Sequence, residues 1–157
     1  MKPQVTLRPW EVTDAAFCCY TRNDPRLYRW FRQDEPIKLK DQKKFIAEDK
    51  LYDNYGGMVI EVNNKPVGLC AVKMDSEFSI AVLPEHQGKG IAKRAMQLLI
   101  KKHPYLWSEV FVGNPALGFY LFKFGFKITG VKERAYYKKG VGLVDVVKIE
   151  HGPKYIK

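Results

Sequence analysis

A glycine-rich stretch, Gln87–Ala92, has the composition of a turn that binds an anion. A strand-like run, Phe78–Val82, precedes it, and a run with helical spacing of apolar residues, Ala92–Lys102, follows it. Glycines let a backbone approach a ligand closely, and the first N–H groups of a helix have no partner within the helix. Nearby side chains add positive charge: Lys89, Lys93 and Arg94. The pattern favours an anionic ligand, and the alternative is a plain strand-to-helix turn.

The rest of the chain predicts the elements that must position this turn. Strands are expected at Gln4–Trp10, Tyr55–Val62, Pro66–Met74, Glu77–Leu83, Leu106–Val112, Phe126–Val131 and Val141–Ile149. The main helices are expected at Thr13–Thr21, Leu39–Tyr52, Gly88–His103 and Asn114–Phe124. In the second helix, the inward-facing residues are expected to be Phe45, Ile46 and Leu51. No repeat or linker interrupts the sequence, so residues 1–157 are expected to form one domain.

Several blocks of this sequence match conserved blocks of one enzyme family. Gln87–Ala92 fits the signature Gln/Arg-x-x-Gly-x-Gly/Ala, and the region Leu106–Phe126 is similar to a second conserved block. In these motifs the chain resembles the GNAT superfamily of acetyl-CoA-dependent N-acyltransferases. Leu7–Pro9 and Arg22–Pro25 are similar to the branch that modifies ribosomal-protein N-termini, amino sugars and small amines. The resemblance covers nearly the whole chain.

The resemblance implies an α/β (α+β) fold, with a mixed, mostly antiparallel central sheet of six to seven strands and about four helices. It implies that the glycine-rich turn holds the pyrophosphate of coenzyme A, and that the end of the preceding strand contacts the acyl and pantetheine parts. Acetyl-CoA is the expected co-substrate, and no metal is expected. The implied coenzyme-binding residues are Ala81, Val82, Leu83, Gln87, Gly88, Lys89, Gly90, Ile91, Ala92 and Asn114.

The implied reaction is direct attack of an amine on a thioester carbonyl, for which the amine must be neutral. Glu109 is the candidate base, because it stands five positions before Asn114, as a base-like glutamate does in the ribosomal-protein alanine N-acetyltransferases. Strand alternation places Glu109 between Trp107 and Phe111, and partial burial there is expected to raise the pKa of its carboxyl group. The alternative is an exposed strand glutamate. Other candidate bases are Glu77 and Asp75.

Tyr120 is the candidate acid that protonates the departing thiolate. The family places its tyrosine seven positions after the asparagine, but that count from Asn114 ends at Leu121. Ala116 and Tyr120 nevertheless keep the family's alanine-to-tyrosine spacing. We therefore predict that Tyr120 faces the coenzyme sulfur, with irregular helix geometry between Tyr120 and Gly125. The alternative is a core tyrosine, with an unassisted thiolate or another acid, Tyr136 or Tyr137.

The composition, with 46% hydrophobic and 28% charged residues, is ordinary for a folded soluble protein. No apolar run approaches the ~20 residues that a membrane span needs. The N-terminus lacks an apolar signal core, so a cytoplasmic location is expected, with no membrane partner. The cysteines show neither a disulfide framework nor metal-ligand spacing and are expected to be packed thiols: Cys18, Cys19 and Cys70. The sequence is compatible with a monomer and with a homodimer.

The formal net charge of +10 favours anionic partners, although scattered lysines are typical of solvated helix faces. The segment Arg26–Gln33 is aromatic and basic. We expect it to pack in the core, with stacking on a nucleobase as the alternative. The main expectation is transfer of an acetyl group to a primary amine. The positive net charge of the protein is compatible with an acceptor molecule that also carries negative charge. The alternatives are a non-catalytic acyl-CoA-binding regulatory module and an acyltransferase acting on a nucleotide-bearing or nucleic-acid amine.

Overall fold

The structure, a computed structural model, describes residues 4–153. The strands in this range are β1 (Val5–Pro9), β2 (Gly57–Val62), β3 (Lys65–Val72), β4 (Phe78–Val82), β5 (Leu106–Phe111), β6 (Lys127–Lys138) and β7 (Gly142–His151). The α-helices in the same range are α1 (Ala15–Arg22), α2 (Pro25–Tyr28), α3 (Leu39–Tyr52), α4 (Ile91–Lys102) and α5 (Ala116–Phe124). This mixed architecture confirms the expected fold class.

The first four strands form an antiparallel sheet in the order β1-β2-β3-β4. The hairpin between β2 and β3 turns through Asn63 and Asn64, whose φ angles are +52° and +65°. Asparagine tolerates this left-handed backbone, so the Asn-Asn pair sets the turn. The register then pairs Gly68 with Val82, which places the carboxyl end of β4 beside the start of β3.

The remaining strands form a second antiparallel sheet in the order β5-β7-β6. The two sheets meet at a single parallel bridge, between Glu77 and Trp107, among the residues that the structure describes. The Trp107 amide donates to Ser76 O (3.2 Å), and its indole Nε1 donates to Asp75 O (2.8 Å). Beyond this bridge, β4 and β5 have no further pairing within residues 4–153, so the central sheet is split along this line.

Helix α4 covers the sheets with one apolar face. Its buried residues are Ile91, Ala95, Met96 and Leu99, at the spacing of one helical stripe. They pack in the main core together with Phe78 of β4 and Leu106 of β5. Burying each large side chain stabilises the fold by ~1.5–3 kcal/mol, so this packing fixes where α4 begins.

Helix α3 spans the range that its pattern predicts, but two of its predicted inward-facing residues are exposed: Phe45 is 40% exposed and Leu51 is 72% exposed. The buried face of α3 consists of Gln42, Ile46 and Asp49. At 100° per residue, Leu51 lies about 200° around the helix from Asp49 and therefore points to solvent.

Candidate active site

The glycine-rich turn between β4 and α4 has the backbone that the motif predicts. Gly88 and Gly90 have φ angles of +78° and +79°, and Gly90 is the N-cap residue of α4. A Cβ atom added at either position would meet nothing within 4 Å. The backbone angle, rather than crowding, is therefore what favours glycine. Gln87 Nε2 donates to Val82 O (2.9 Å) and ties the turn to the end of β4.

A cavity of about 500 Å³, the coenzyme cleft, opens beside this turn. Most of the predicted coenzyme-binding residues line this cleft, together with the start of α5. At that helix start, Asn114 Oδ1 accepts from the Ala116 amide (3.0 Å). The predicted residues that line it are Ala81, Val82, Gln87, Gly88, Gly90, Ile91, Ala92 and Asn114, together with Tyr120.

Two predicted coenzyme-binding residues, Leu83 and Lys89, do not line the coenzyme cleft. The Leu83 amide donates to Val67 O of β3 (2.9 Å), and Leu83 is only 3% exposed. Leu83 is therefore committed to the sheet and the core. Lys89 sits between the two positive-φ glycines and is exposed.

The split between β4 and β5 exposes one backbone edge of β4. Because N–H groups alternate in direction along a strand, and the Leu83 amide points to β3, the amides of Ile80 and Val82 point toward β5. No strand pairs with that edge in the described part of the chain. These N–H groups therefore face the gap, where an acyl oxygen would find donors.

A second cavity of about 240 Å³, the acceptor cavity, adjoins the coenzyme cleft. The two share four lining residues, two aromatic and two from β4: Trp30, Phe31, Ile80 and Ala81. The acceptor cavity continues to Glu77 and Glu109, away from the glycine-rich turn. A molecule in each cavity would meet its neighbour at the exposed edge of β4.

Glu109 lines the acceptor cavity with a side chain only 7% exposed. Arg32 Nη2 donates to its Oε1 (2.8 Å), the Tyr136 hydroxyl donates to the same oxygen (3.2 Å), and Lys132 Nζ lies 3.1 Å from Oε2. Burial alone would raise the pKa of Glu109, but these partners outweigh it and hold the pKa below its usual value. The expectation of a raised pKa is therefore wrong.

Tyr120 is 6% exposed and packs edge-on against Phe78, with ring centroids 5.3 Å apart. It also lines the coenzyme cleft, and its hydroxyl makes no hydrogen bond with another described residue. Burial raises the pKa of Tyr120, so the group stays protonated at neutral pH. The Gly125 amide donates to Tyr120 O, five residues back, and the end of α5 is thus wider than an α-helical turn.

The expected core packing of the aromatic-basic segment Arg26–Gln33 is wrong, because Leu27 alone in this segment is buried. Trp30 and Phe31 line both cavities. The buried Lys138 ammonium anchors the segment by donating to Tyr28 O (2.9 Å), Phe31 O (2.8 Å) and Gln33 O. The run of aromatic and basic residues is visible in the sequence and could have indicated a part in the site. The position of the segment, however, depends on its contacts with Lys138, which lies more than 100 residues further along the chain.

The cysteines Cys18, Cys19 and Cys70 all lie within residues 4–153. No group of three His, Cys, Asp or Glu side chains there could hold a metal ion. Cys18 and Cys70 are buried, and burial raises the pKa of each thiol to about 12, which makes both inert. Cys19 is only partly buried. No helix in the described range combines the length and apolarity that crossing a membrane requires.

Solved structures share this fold. Spermidine N-acetyltransferase from Vibrio cholerae, in complex with CoA and spermine, matches with a TM-score of 0.80 and 24% identity over 94% of each chain. Ribosomal-protein-alanine N-acetyltransferase from Brucella melitensis matches with a TM-score of 0.78 and 17% identity over 94% of this chain and 99% of that one. These matches show that the chain shares the fold of these two solved structures.

The chain belongs to the Acetyltransferase (GNAT) family, whose sequence profile matches residues 17–126. This confirms the resemblance seen in the motifs. Among curated proteins, spermidine N(1)-acetyltransferase from Escherichia coli (strain K12) is 32% identical in a 107-residue alignment that covers 60% of this chain and 54% of that protein. The match thus spans about half the length of the curated relative.

Proposed function

We propose that this protein transfers an acetyl group from acetyl-CoA to a primary amine by direct attack. The observation that carries the proposal is the junction of the two cavities at Ile80 and Ala81, on the unpaired edge of β4. Family membership supports the same reaction. Acetyl-CoA supplies the thioester carbonyl, and the chain's own residues bind, orient and exchange protons.

The coenzyme cleft fits acetyl-CoA. The Cβ directions of Gly88 and Gly90 lead into open space, so a pyrophosphate can approach the turn and the N-terminal amides of α4. The gap-facing amides of Ile80 and Val82 fit the acyl oxygen and pantetheine. Asn114 and Ala92 complete the cleft from the starts of α5 and α4.

Glu109 is the proposed proton acceptor for the amine. Its lowered pKa keeps the carboxylate ionised at neutral pH, so it can attract the acceptor's ammonium group as well as receive its proton. Arg32 and Tyr136 fix the position of Oε1 on the acceptor side of the junction. Glu77, 13% exposed and bonded to Lys73 Nζ (2.7 Å), is the alternative acceptor.

Tyr120 is the proposed proton donor to the departing thiolate. It is protonated, lines the coenzyme cleft, and has a hydroxyl free of described protein partners. These properties suit a general acid.

Thiol release from acetyl-CoA tests the proposal, with a panel of primary amines that includes spermidine and amines attached to nucleobases. Spermidine is included because it is named for the relatives, and nucleobases because Trp30 and Phe31 line the cavity. Mass spectrometry should find one added acetyl group on the accepted amine. Tight coenzyme binding without turnover on any amine would instead support a non-catalytic acyl-CoA-binding module.

A further inference from the structure

Among the described residues that line the acceptor cavity, one basic side chain has no carboxylate partner. Its lining includes three basic side chains, Arg22, Arg32 and Lys73, and two acidic ones, Glu77 and Glu109. Lys73 pairs with Glu77 at 2.7 Å, and Arg32 pairs with Glu109 at 2.8 Å. Both carboxylates are therefore occupied, and Arg22 is left over.

The Arg22 side chain makes no hydrogen bond or ion pair with any other residue of the range 4–153, although Arg22 is partly buried. It is the last residue of α1, and its neighbour Asn23 fixes that helix end. Asn23 Oδ1 accepts from the Ile37 amide (2.7 Å) and from Gln33 Nε2 (3.0 Å). A partly buried guanidinium group thus lies at the cavity wall, with no carboxylate partner among residues 4–153.

We propose that the acceptor amine also carries an anionic group, a carboxylate or a phosphate, and that Arg22 binds it. The inference rests on the proposed acetyl transfer. The planar guanidinium can donate two parallel hydrogen bonds to either anion. The aromatic walls, Trp30, Phe31 and Tyr55, suit an apolar body between that anion and the amine.

The same charge balance disfavours a polycation. A polyamine would bring further ammonium groups to a cavity whose carboxylates are already paired and whose remaining charge is positive. Like charges in a sheltered site repel. The acceptor therefore differs in class from the polyamine named for the curated relatives.

Two matched pairs of acceptors test the proposal. The first is 4-(aminomethyl)benzoate against 4-(aminomethyl)benzamide, which has an uncharged carboxamide in place of the carboxylate. The second is tyramine phosphate against tyramine. Affinity is measured by calorimetry with coenzyme A present, which reads binding without turnover, and kcat/KM is measured by thiol release from acetyl-CoA. We expect the anionic member of at least one pair to bind about 10- to 100-fold more tightly than its partner. The pair that shows the preference identifies carboxylate or phosphate.

Variants then assign the preference to Arg22. Arg22→Gln should remove it, and Arg22→Lys should retain part of it. Lys43→Gln, which removes one exposed positive charge from α3, should leave it intact. Equal affinity within both pairs, or an unchanged preference in folded Arg22→Gln, would overturn the inference. A preference in binding with no thiol release would support it and refute acetyl transfer instead.

Discussion

Arg32 and Glu109 are 77 residues apart in sequence, yet Arg32 Nη2 donates to Glu109 Oε1 at 2.8 Å. This contact joins the aromatic-basic segment before α3 to strand β5 across the acceptor cavity. Arg32 also lies 3.8 Å from Glu77 and stacks over the Tyr136 ring, with 4.4 Å between its Cζ and the ring centroid. One guanidinium thus contacts both acidic side chains of the cavity. Burial raises the pKa of Glu109, and the contacts with Lys132 and then Arg32 lower it.

Replacing Glu109 by Gln should reduce turnover by about 10²- to 10⁴-fold, because the proton acceptor is lost. Coenzyme affinity, measured by calorimetry, should barely change, since Glu109 does not line the coenzyme cleft. Glu35→Gln is the matched control: it breaks the exposed 2.8 Å ion pair with Lys139 and touches neither cavity. Full turnover in Glu109→Gln would assign Glu109 a structural role.

The pH dependence of the wild-type enzyme tests the lowered pKa of Glu109. Its carboxylate stays ionised below its usual pKa, so protonation of Glu109 should not limit the rate near neutral pH. The acidic limb of kcat/KM should instead follow the acceptor amine and shift when amines of different pKa are compared. A limb fixed at one pH for all acceptors would contradict this.

The local pattern was enough to predict several elements but not the split that forms the site. Helix α3 matches its predicted bounds, and Gly125 ends α5 with a φ of +71°. The bridge between Glu77 and Trp107 and the contact of Lys138 with the segment 28–33 join distant parts of the chain. Periodicity and capping carry no information about contacts between distant parts of the chain. The contacts of Glu109 with Arg32 and Lys132 are of this kind, so the predicted direction of its pKa shift was wrong.

Replacing Gly90 by Leu should abolish acetyl-CoA binding. Its φ of +79° strains any L-residue, and the side chain would extend into the coenzyme cleft. Gly140→Leu is the matched control, since Gly140 has a φ of +80° and open space around its Cβ direction but lies outside both cavities. Calorimetry should show binding by the Gly140 variant alone. Retained micromolar affinity in folded Gly90→Leu would refute the coenzyme site.

Asp49→Asn should destabilise the fold by about 1–3 kcal/mol at pH 7. The buried carboxylate accepts from Trp10 Nε1 (2.8 Å) and from the amides of Tyr55 (2.8 Å), Gly56 (3.0 Å) and Gly57 (3.0 Å). An asparagine NH₂ group would face N–H donors there. Asp53→Asn, an exposed change next to the same helix, should have little effect.

The Asp49 contribution also has a defined pH dependence. Burial opposes ionisation, but the four hydrogen bonds outweigh it and hold the pKa of Asp49 below its usual value in the folded state. The stabilisation is therefore complete above the unfolded pKa of about 3.9 and is lost as the pH falls through the folded value. Urea unfolding should show the difference between wild type and Asp49→Asn shrinking below about pH 4. A difference that grows on acidification would contradict the assignment.

Tyr120→Phe should lower kcat by about 10²-fold or more if Tyr120 protonates the thiolate, without unfolding the protein. Only a hydroxyl with no described protein partner is removed, and the ring contacts with Phe78 and Phe126 stay. Tyr137→Phe is the control, because Tyr137 is 66% exposed and lines neither cavity.

A structure with coenzyme A bound decides whether Tyr120 is the acid that protonates the thiolate or a tyrosine that only packs in the core. The wide turn from Tyr120 to Gly125 should persist, and the Tyr120 hydroxyl should lie within hydrogen-bonding distance of the sulfur. Since burial raises the Tyr120 pKa, loss of its proton should not produce a basic limb below pH 10. A hydroxyl turned away from the sulfur, together with wild-type kcat in Tyr120→Phe, would place the tyrosine in the core and leave the thiolate to depart unassisted.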